Sequence, residues 1–244
     1  MSKPAGPQAP IQAITFDLDF TLWDLSGVIV RAEQHMRAYL SRHYPRTVEH
    51  FDSPELAARR RALLEREPEL RHNVTRLRQA VLGELARLAG YGEALVDEAF
   101  NVFLDARHDV VPYEDAIPVL ESLRGRYRLG VVTNGNADVR RLAIGEFFDF
   151  RVSAVDVGAT KPDRVIFEAA CHRAQVEPDA VLHVGDDPEA DIVGAAEYGM
   201  QAVWLNRDGR PWPEELSRVP HWEVRSLFEL RRQLTTPATT EPTG

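Results

Sequence analysis

Four short polar clusters in this sequence have the residue types and spacing for chemistry on an anionic substrate. The first is Asp17-Leu18-Asp19-Phe20-Thr21. Two carboxylates two residues apart, where a strand unwinds, can face one pocket. One can act as nucleophile and the other as acid or base if their surroundings differ. The second is Thr133-Asn134-Gly135-Asn136. Its hydroxyl and amide can donate to a phosphate oxygen, and Gly135 admits close approach of backbone. The third is Gly158-Ala159-Thr160-Lys161-Pro162-Asp163, where Lys161 stands just before a helix as a compact positive charge for a phosphate or a carboxylate. The fourth is Gly185-Asp186-Asp187-Pro188-Glu189-Ala190-Asp191. Carboxylates clustered at the end of a buried strand need a cation or a helix dipole to offset them. Oxygen ligands without Cys or His favour a hard ion such as Mg2+. Taken singly, each cluster also fits a plainer role: a polar turn, an Asn-Gly turn, an exposed loop lysine, an acidic helix N-cap.

Each cluster follows a short apolar run. Residues 11–16, 129–132, 152–155 and 181–184 read as buried strands, with 202–205 and 221–224 as two more. Helical patterns lie between them at 114–123, 138–147, 163–174 and 189–198, the last stopped by Gly199. Ser226 suits the N-cap of a final helix. Alternating strands and helices predict an α/β fold, a Rossmann-like parallel sheet. Residues 25–111 differ, carrying only helical patterns at 28–43, 54–66, 74–89 and 94–107. Ser53-Pro54 and Asn73 supply helix starts there. The sequence therefore predicts a discontinuous α/β core of residues 11–24 and 112–234 with an inserted all-α domain. Residues 1–10 read as a flexible leader and 235–244 as a disordered tail.

Composition narrows the classes. The 244 residues carry a formal net charge of −9, which argues against a nucleic-acid partner. No apolar run approaches the roughly 18 residues of a membrane span. Pro and Gly stand where a signal peptide would need an apolar stretch. A single cysteine, Cys171, excludes an internal disulfide and suits a cytoplasmic setting, where it packs as a small apolar side chain. The eight histidines show no metal-ligand spacing. Of 29 basic residues only Lys3 and Lys161 are lysine. A protein that fills its exposed basic positions with arginine has left lysine at one place in its folded body.

The four motifs, in this order and on strand ends, resemble those of the haloacid dehalogenase superfamily, and the helical insert is similar to its C1 cap. The resemblance implies roles residue by residue. Asp17 is the nucleophile that forms an aspartyl-phosphate, and Asp19 the acid and base. Thr133 and Asn134 bind phosphate, and Lys161 bridges nucleophile and phosphoryl group. Asp186 binds Mg2+ with the Asp17 carboxylate and the Asp19 main-chain carbonyl, and Asp187 and Asp191 are further ligands or supports. The second aspartate, Asp19, counts against carbon-attacking dehalogenases and phosphonate-cleaving members. Thr21 favours phosphatases over sugar-phosphate mutases.

The stretch 67–78 looks like the cap of bacterial flavin mononucleotide phosphatases. It implies a small phosphate ester as partner, either flavin mononucleotide or the ribitylaminouracil phosphate of riboflavin synthesis. His72 and Arg76, four apart at a helix start, are expected on a substrate-facing or a solvated face. Trp23 suits a core position or the pocket wall. A monomer or weak homodimer is expected, with no nucleic acid or membrane partner. The alternatives are a phosphosugar mutase, a sugar-phosphate or nucleotide phosphatase on the same scaffold, and a non-catalytic regulator that binds phosphorylated metabolites.

Overall fold

A computed structural model describes residues 10–235. The expectations for the leader and tail fall outside the described residues, except at Pro10 and Thr235. Six parallel strands form one sheet: β1 (Ala13–Phe16), β2 (Arg128–Thr133), β3 (Phe150–Ser153), β4 (Val181–Gly185), β5 (Gln201–Leu205) and β6 (Trp222–Val224). The spatial order is β3-β2-β1-β4-β5-β6. Every residue of β1 and β4 is buried, as near-continuous apolar runs require when helices cover both faces. From β1 the chain moves to one side of the sheet, and from β4 to the other. The strand ends at β1 and β4 therefore flank the switch point, where doubly wound sheets bind ligands.

Among the described residues, the chain divides into two compact units. One is the sheet unit, described over residues 10–24, 111–134 and 143–235. The other joins Leu25–Val110 with Gly135–Leu142. The helical unit holds α1 (Val28–His43), α2 (Pro54–Arg66), α3 (Val74–Ala89) and α4 (Ala94–Arg107). Ser53 Oγ accepts the Leu56 amide at 3.1 Å and Asn73 Oδ1 accepts the Arg76 amide at 2.9 Å, so both expected N-caps are made. Val28, Ala32, Met36 and Leu40 recur every four residues along the buried side of α1, and the last three pack with Leu85, Leu95, Phe100 and Phe103. Gly135–Leu142 was expected in the core, yet it groups with the helices. One contact there is a 2.8 Å hydrogen bond from the Asp138 amide to His108 Nε2.

The sheet unit adds α5 (Ala116–Leu123), α6 (Ala154–Val157), α7 (Arg164–Ala174), α8 (Gly194–Tyr198) and α9 (Leu227–Thr235). Three local expectations are corrected. The helix expected at 138–147 is two short 3-10 turns, Val139–Arg141 and Ala143–Phe147, separated by an extended Leu142. Asp138 caps the first turn at the Arg140 amide. The strand expected at 152–155 ends at Ser153, which forms a capping box with Asp156 and starts α6. The helix expected at 189–198 opens as a π-helical turn, Pro188–Val193, before α8. Cys171 is buried on α7, and burial pushes its thiol up to about 11, consistent with a packed side chain.

Candidate active site

Register between strands builds the floor of the site. Thr15 on β1 lies opposite His183 on β4, and Thr15 Oγ1 and His183 Nδ1 are 2.9 Å apart. Burial pushes the His183 pKa down. A neutral ring that accepts from Thr15 can donate from Nε2 to Asp191 Oδ1 at 3.1 Å. Phe167 packs edge-on against the ring. His183 thus supports Asp191 from beneath. The sequence assigns His183 no role of its own, because its contact with Thr15 arises only through strand pairing.

Asp191 lies on the π-helical turn, which folds it back over β4. A Cβ at Gly185 would sit 2.1 Å from the Asp191 Cγ, so only glycine allows this approach. Asp191 Oδ2 accepts the Asp187 amide at 3.0 Å. Asp191 Oδ1 also accepts from Lys161 Nζ at 2.6 Å. The same ammonium donates to Asp17 Oδ1 at 2.6 Å and to the Val132 carbonyl at 2.9 Å, which engages all three of its protons. Lys161 is 4% exposed, so the plain role of an exposed loop lysine does not apply.

Asn134 holds this lysine in place. Its Oδ1 accepts the Lys161 amide at 2.7 Å and its Nδ2 donates to the Lys161 carbonyl at 3.0 Å. The expected phosphate-binding amide is thus committed to the lysine main chain. Thr133, the last residue of β2, is buried beside it.

Asp17, Asp186 and Asp191 each present a carboxylate oxygen within 4.8 Å of the other two. Burial pushes Asp17 up to about 8; Lys161 opposes the shift, and Asp191 and Asp19 add to it. Burial and then Asp191 push Asp186 up to about 7. Burial alone would raise Asp191 as well, but Lys161 and His183 outweigh it and hold Asp191 below the usual carboxylate range. Burial alone would lower Lys161; Asp17 and Asp191 outweigh it and keep the ammonium firmly charged. With all three carboxylates ionised, two of them buried and Asp186 half-buried, Lys161 and Arg210, the latter 3.5 Å from Asp186, leave a net negative charge. A hard divalent cation fits that deficit and that oxygen donor set.

Asp187 lies outside this trio. Its Oδ1 accepts the amides of Glu189 at 2.9 Å and Ala190 at 2.8 Å, capping the π-helical turn. Between the two candidates that the sequence left unranked, the structure brings Asp191 into the cluster and gives Asp187 a capping role. The Asp186 carbonyl accepts from Trp204 Nε1 and Arg210 Nη2, both at 3.0 Å.

Asp19 is half-buried on a turn in which Leu22 N donates to the Leu18 carbonyl and Phe20 N to the Trp23 carbonyl, both at 2.8 Å. Phe20 has φ 60°, a conformation costing about 1–3 kcal/mol for a side chain of this kind, which its surroundings must impose. One such restraint is Arg207. It donates to the Thr21 carbonyl at 3.0 Å, makes two 2.9 Å bonds to Asp115, and lies over the Tyr113 ring. Trp23 is fully buried, as a core aromatic would be, and its indole N–H reaches Asp19 Oδ1 at 2.8 Å.

In the helical unit, Arg76 is exposed in the first turn of α3. The side chain of His72 lies outside what the structure describes. A cavity of 810 Å3 opens among α1, α2 and α3, with Met36, Leu40 and Leu56 in its apolar lining and Arg60 and Arg61 among its charged residues.

A lysine ammonium and a trio of carboxylates thus gather at the switch point of a doubly wound sheet. The family model for haloacid dehalogenase-like hydrolases matches residues 11–199, and the chain belongs to that family. It is 32% identical over 233 residues to the 5-amino-6-(5-phospho-D-ribitylamino)uracil phosphatase YigB of Escherichia coli (strain K12), covering 92% of this chain and 96% of that one. It is 30% identical over 234 residues to the human N-acylneuraminate-9-phosphatase, covering 90% and 92%. Among solved structures, the 2-haloacid dehalogenase from Pseudomonas syringae pv. Tomato DC3000 superimposes with a TM-score of 0.86 at 41% identity, over 92% of this chain and 98% of that chain. No helix of the described residues is long and apolar enough to cross a membrane.

Proposed function

We propose that this hydrolase is a Mg2+-dependent phosphomonoesterase working through an aspartyl-phosphate. The observation that carries this reading is Asp19, two residues beyond the buried Asp17, on the same turn and joined to a hydrogen-bond donor. A halide leaves carbon as a stable anion and needs no proton. An alkoxide leaving phosphorus does need one, so an acid beside the nucleophile suits phosphate esters.

In the first half-reaction the Asp17 carboxylate attacks phosphorus, the ester P–O bond breaks, and Asp19 gives its proton to the departing oxygen. In the second, Asp19 takes a proton from water as the water oxygen attacks the phosphorus of the aspartyl-phosphate. Inorganic phosphate leaves and the Asp17 carboxylate is restored. Lys161 favours the ionised form of Asp17 against the effect of burial and offsets phosphoryl charge, and Asn134 holds the Lys161 backbone in register. A divalent cation held by Asp17, Asp186 and Asp191, with the Asp19 carbonyl as a further candidate, would supply positive charge opposite the phosphate.

The substrate is a small phosphorylated metabolite. The likeness to YigB along nearly the whole chain supports the ribitylaminouracil phosphate, and the 67–78 stretch supports flavin mononucleotide. In this reading the helical unit supplies selectivity for the non-phosphate part, with Arg76 the residue to test. The 41% identity to a protein described as a 2-haloacid dehalogenase favours a second reading, carbon–halogen cleavage.

Phosphate release from a panel of esters that includes flavin mononucleotide, with and without Mg2+, tests both readings. Mg2+-dependent phosphate release supports the first. Halide release from a 2-haloacid, with no phosphate release from any ester, overturns it.

A further inference from the structure

We propose that Trp23 is a positioning residue for the acid–base step, its indole N–H fixing the Asp19 carboxyl group against the departing oxygen of the ester. The proposal rests on the phosphatase reading above. The indole donates to Asp19 Oδ1 at 2.8 Å from a side chain that is fully buried, so the ring cannot drift with the solvent. A nearby hydroxyl or water could satisfy a carboxylate without defining its plane. A buried indole offers one N–H in one direction.

The backbone makes the contact obligatory. The turn bonds through Leu18, Phe20 and Leu22 fold residue 23 back onto residue 19. Asp19 and Trp23 form an isolated bridge, and Trp23 forms a second with Pro112, where the chain returns from the helical unit. The Tyr113 amide donates to the Leu22 carbonyl at 2.9 Å. Trp23 is therefore held on both sides, by the catalytic turn and by the returning chain, and transmits that rigidity to Asp19. In the protonated acid, the carbonyl-type oxygen takes the indole N–H and the other oxygen bears the proton. As Asp17 bonds to phosphorus and the ester P–O bond breaks, that proton passes to the leaving oxygen.

The consequence concerns substrate class. A correctly placed proton matters most for a poor leaving group, such as the primary alkoxide of a sugar or ribityl phosphate. It matters least for p-nitrophenolate, which leaves unassisted. Trp23→Phe keeps a buried aromatic ring and deletes the N–H. Replacing Trp23 with benzothienylalanine keeps the bicyclic shape and deletes the same donor.

For both replacements, kcat/KM on an alkyl phosphate is expected to fall about ten-fold or more. On p-nitrophenyl phosphate it should change little, and the wild-type unfolding temperature should be retained in the benzothienylalanine protein. Equal losses on both substrates, or no loss on either, would overturn the positioning role. Failure of the underlying reading would look different: wild-type protein would then release no phosphate from either ester, or Asp19→Asn would show no preference for the better leaving group.

Discussion

The strand-end site and the helical unit handle charge in opposite ways. At the site, Lys161 and Asp191 have side chains 2% and 1% exposed, and each bond has a defined partner. In the helical unit, pairs such as Arg37 with Asp52 stand 42% and 82% exposed. Water screens the second kind, so geometry there is loosely specified. In the first kind a displaced atom leaves a buried charge uncompensated. Under the proposed function, this contrast matches a sheet unit that carries the chemistry and a helical unit that carries selectivity.

The largest effect should come from the nucleophile. Asp17→Asn is expected to lower kcat at least about 10³-fold in a steady-state phosphate assay while far-ultraviolet circular dichroism stays native. Substantial residual turnover would break the assignment of chemistry to the β1 strand end. Chelation comes next. Removing divalent cations should stop turnover, and added Mg2+ should restore it, because Asp17, Asp186 and Asp191 carry more negative charge when ionised than Lys161 and Arg210 offset. Activity indifferent to chelator would remove the cation from the account.

Lys161→Arg is expected to cost about 10²-fold in kcat despite conserving charge. A planar guanidinium cannot reach Asp17, Asp191 and the Val132 carbonyl from the space of one ammonium. Near wild-type kcat would show that only the charge matters. Gly185→Ala should destabilise the fold by about 1–3 kcal/mol in chemical denaturation, since the new methyl meets Asp191. The smallest effect belongs to the helical unit. Arg76→Ala should leave turnover of a simple ester unchanged and alter only the ranking among larger esters; a uniform loss across esters would blur the division of labour.

How much was legible in advance follows the same division. Asp17, Lys161 and Asp191 could be found because contiguous motifs at strand ends carry them, and a lone lysine in an arginine-rich chain stands out. Two helices of the insert, α2 and α3, match their expected bounds because Ser53 and Asn73 announce their starts locally. Contacts made by distant residues were not legible. His183 meets Thr15 through sheet register, and Arg207 joins Thr21 and Asp115 across the chain. The Trp23 bond depends on a left-handed Phe20, which no local rule anticipates. Local signals that compete were also misjudged. Ser153-Ala154-Val155-Asp156 has both a strand-like apolar pair and a capping box, and the capping box prevails.

The most direct test of the central claim measures two products on one preparation. Wild-type protein with Mg2+ is incubated with a phosphate monoester and, separately, with a 2-haloacid, and Asp17→Asn is run beside it. The account predicts phosphate release that vanishes in Asp17→Asn, and no halide. Halide release without phosphate release, or phosphate release that survives Asp17→Asn, would contradict it.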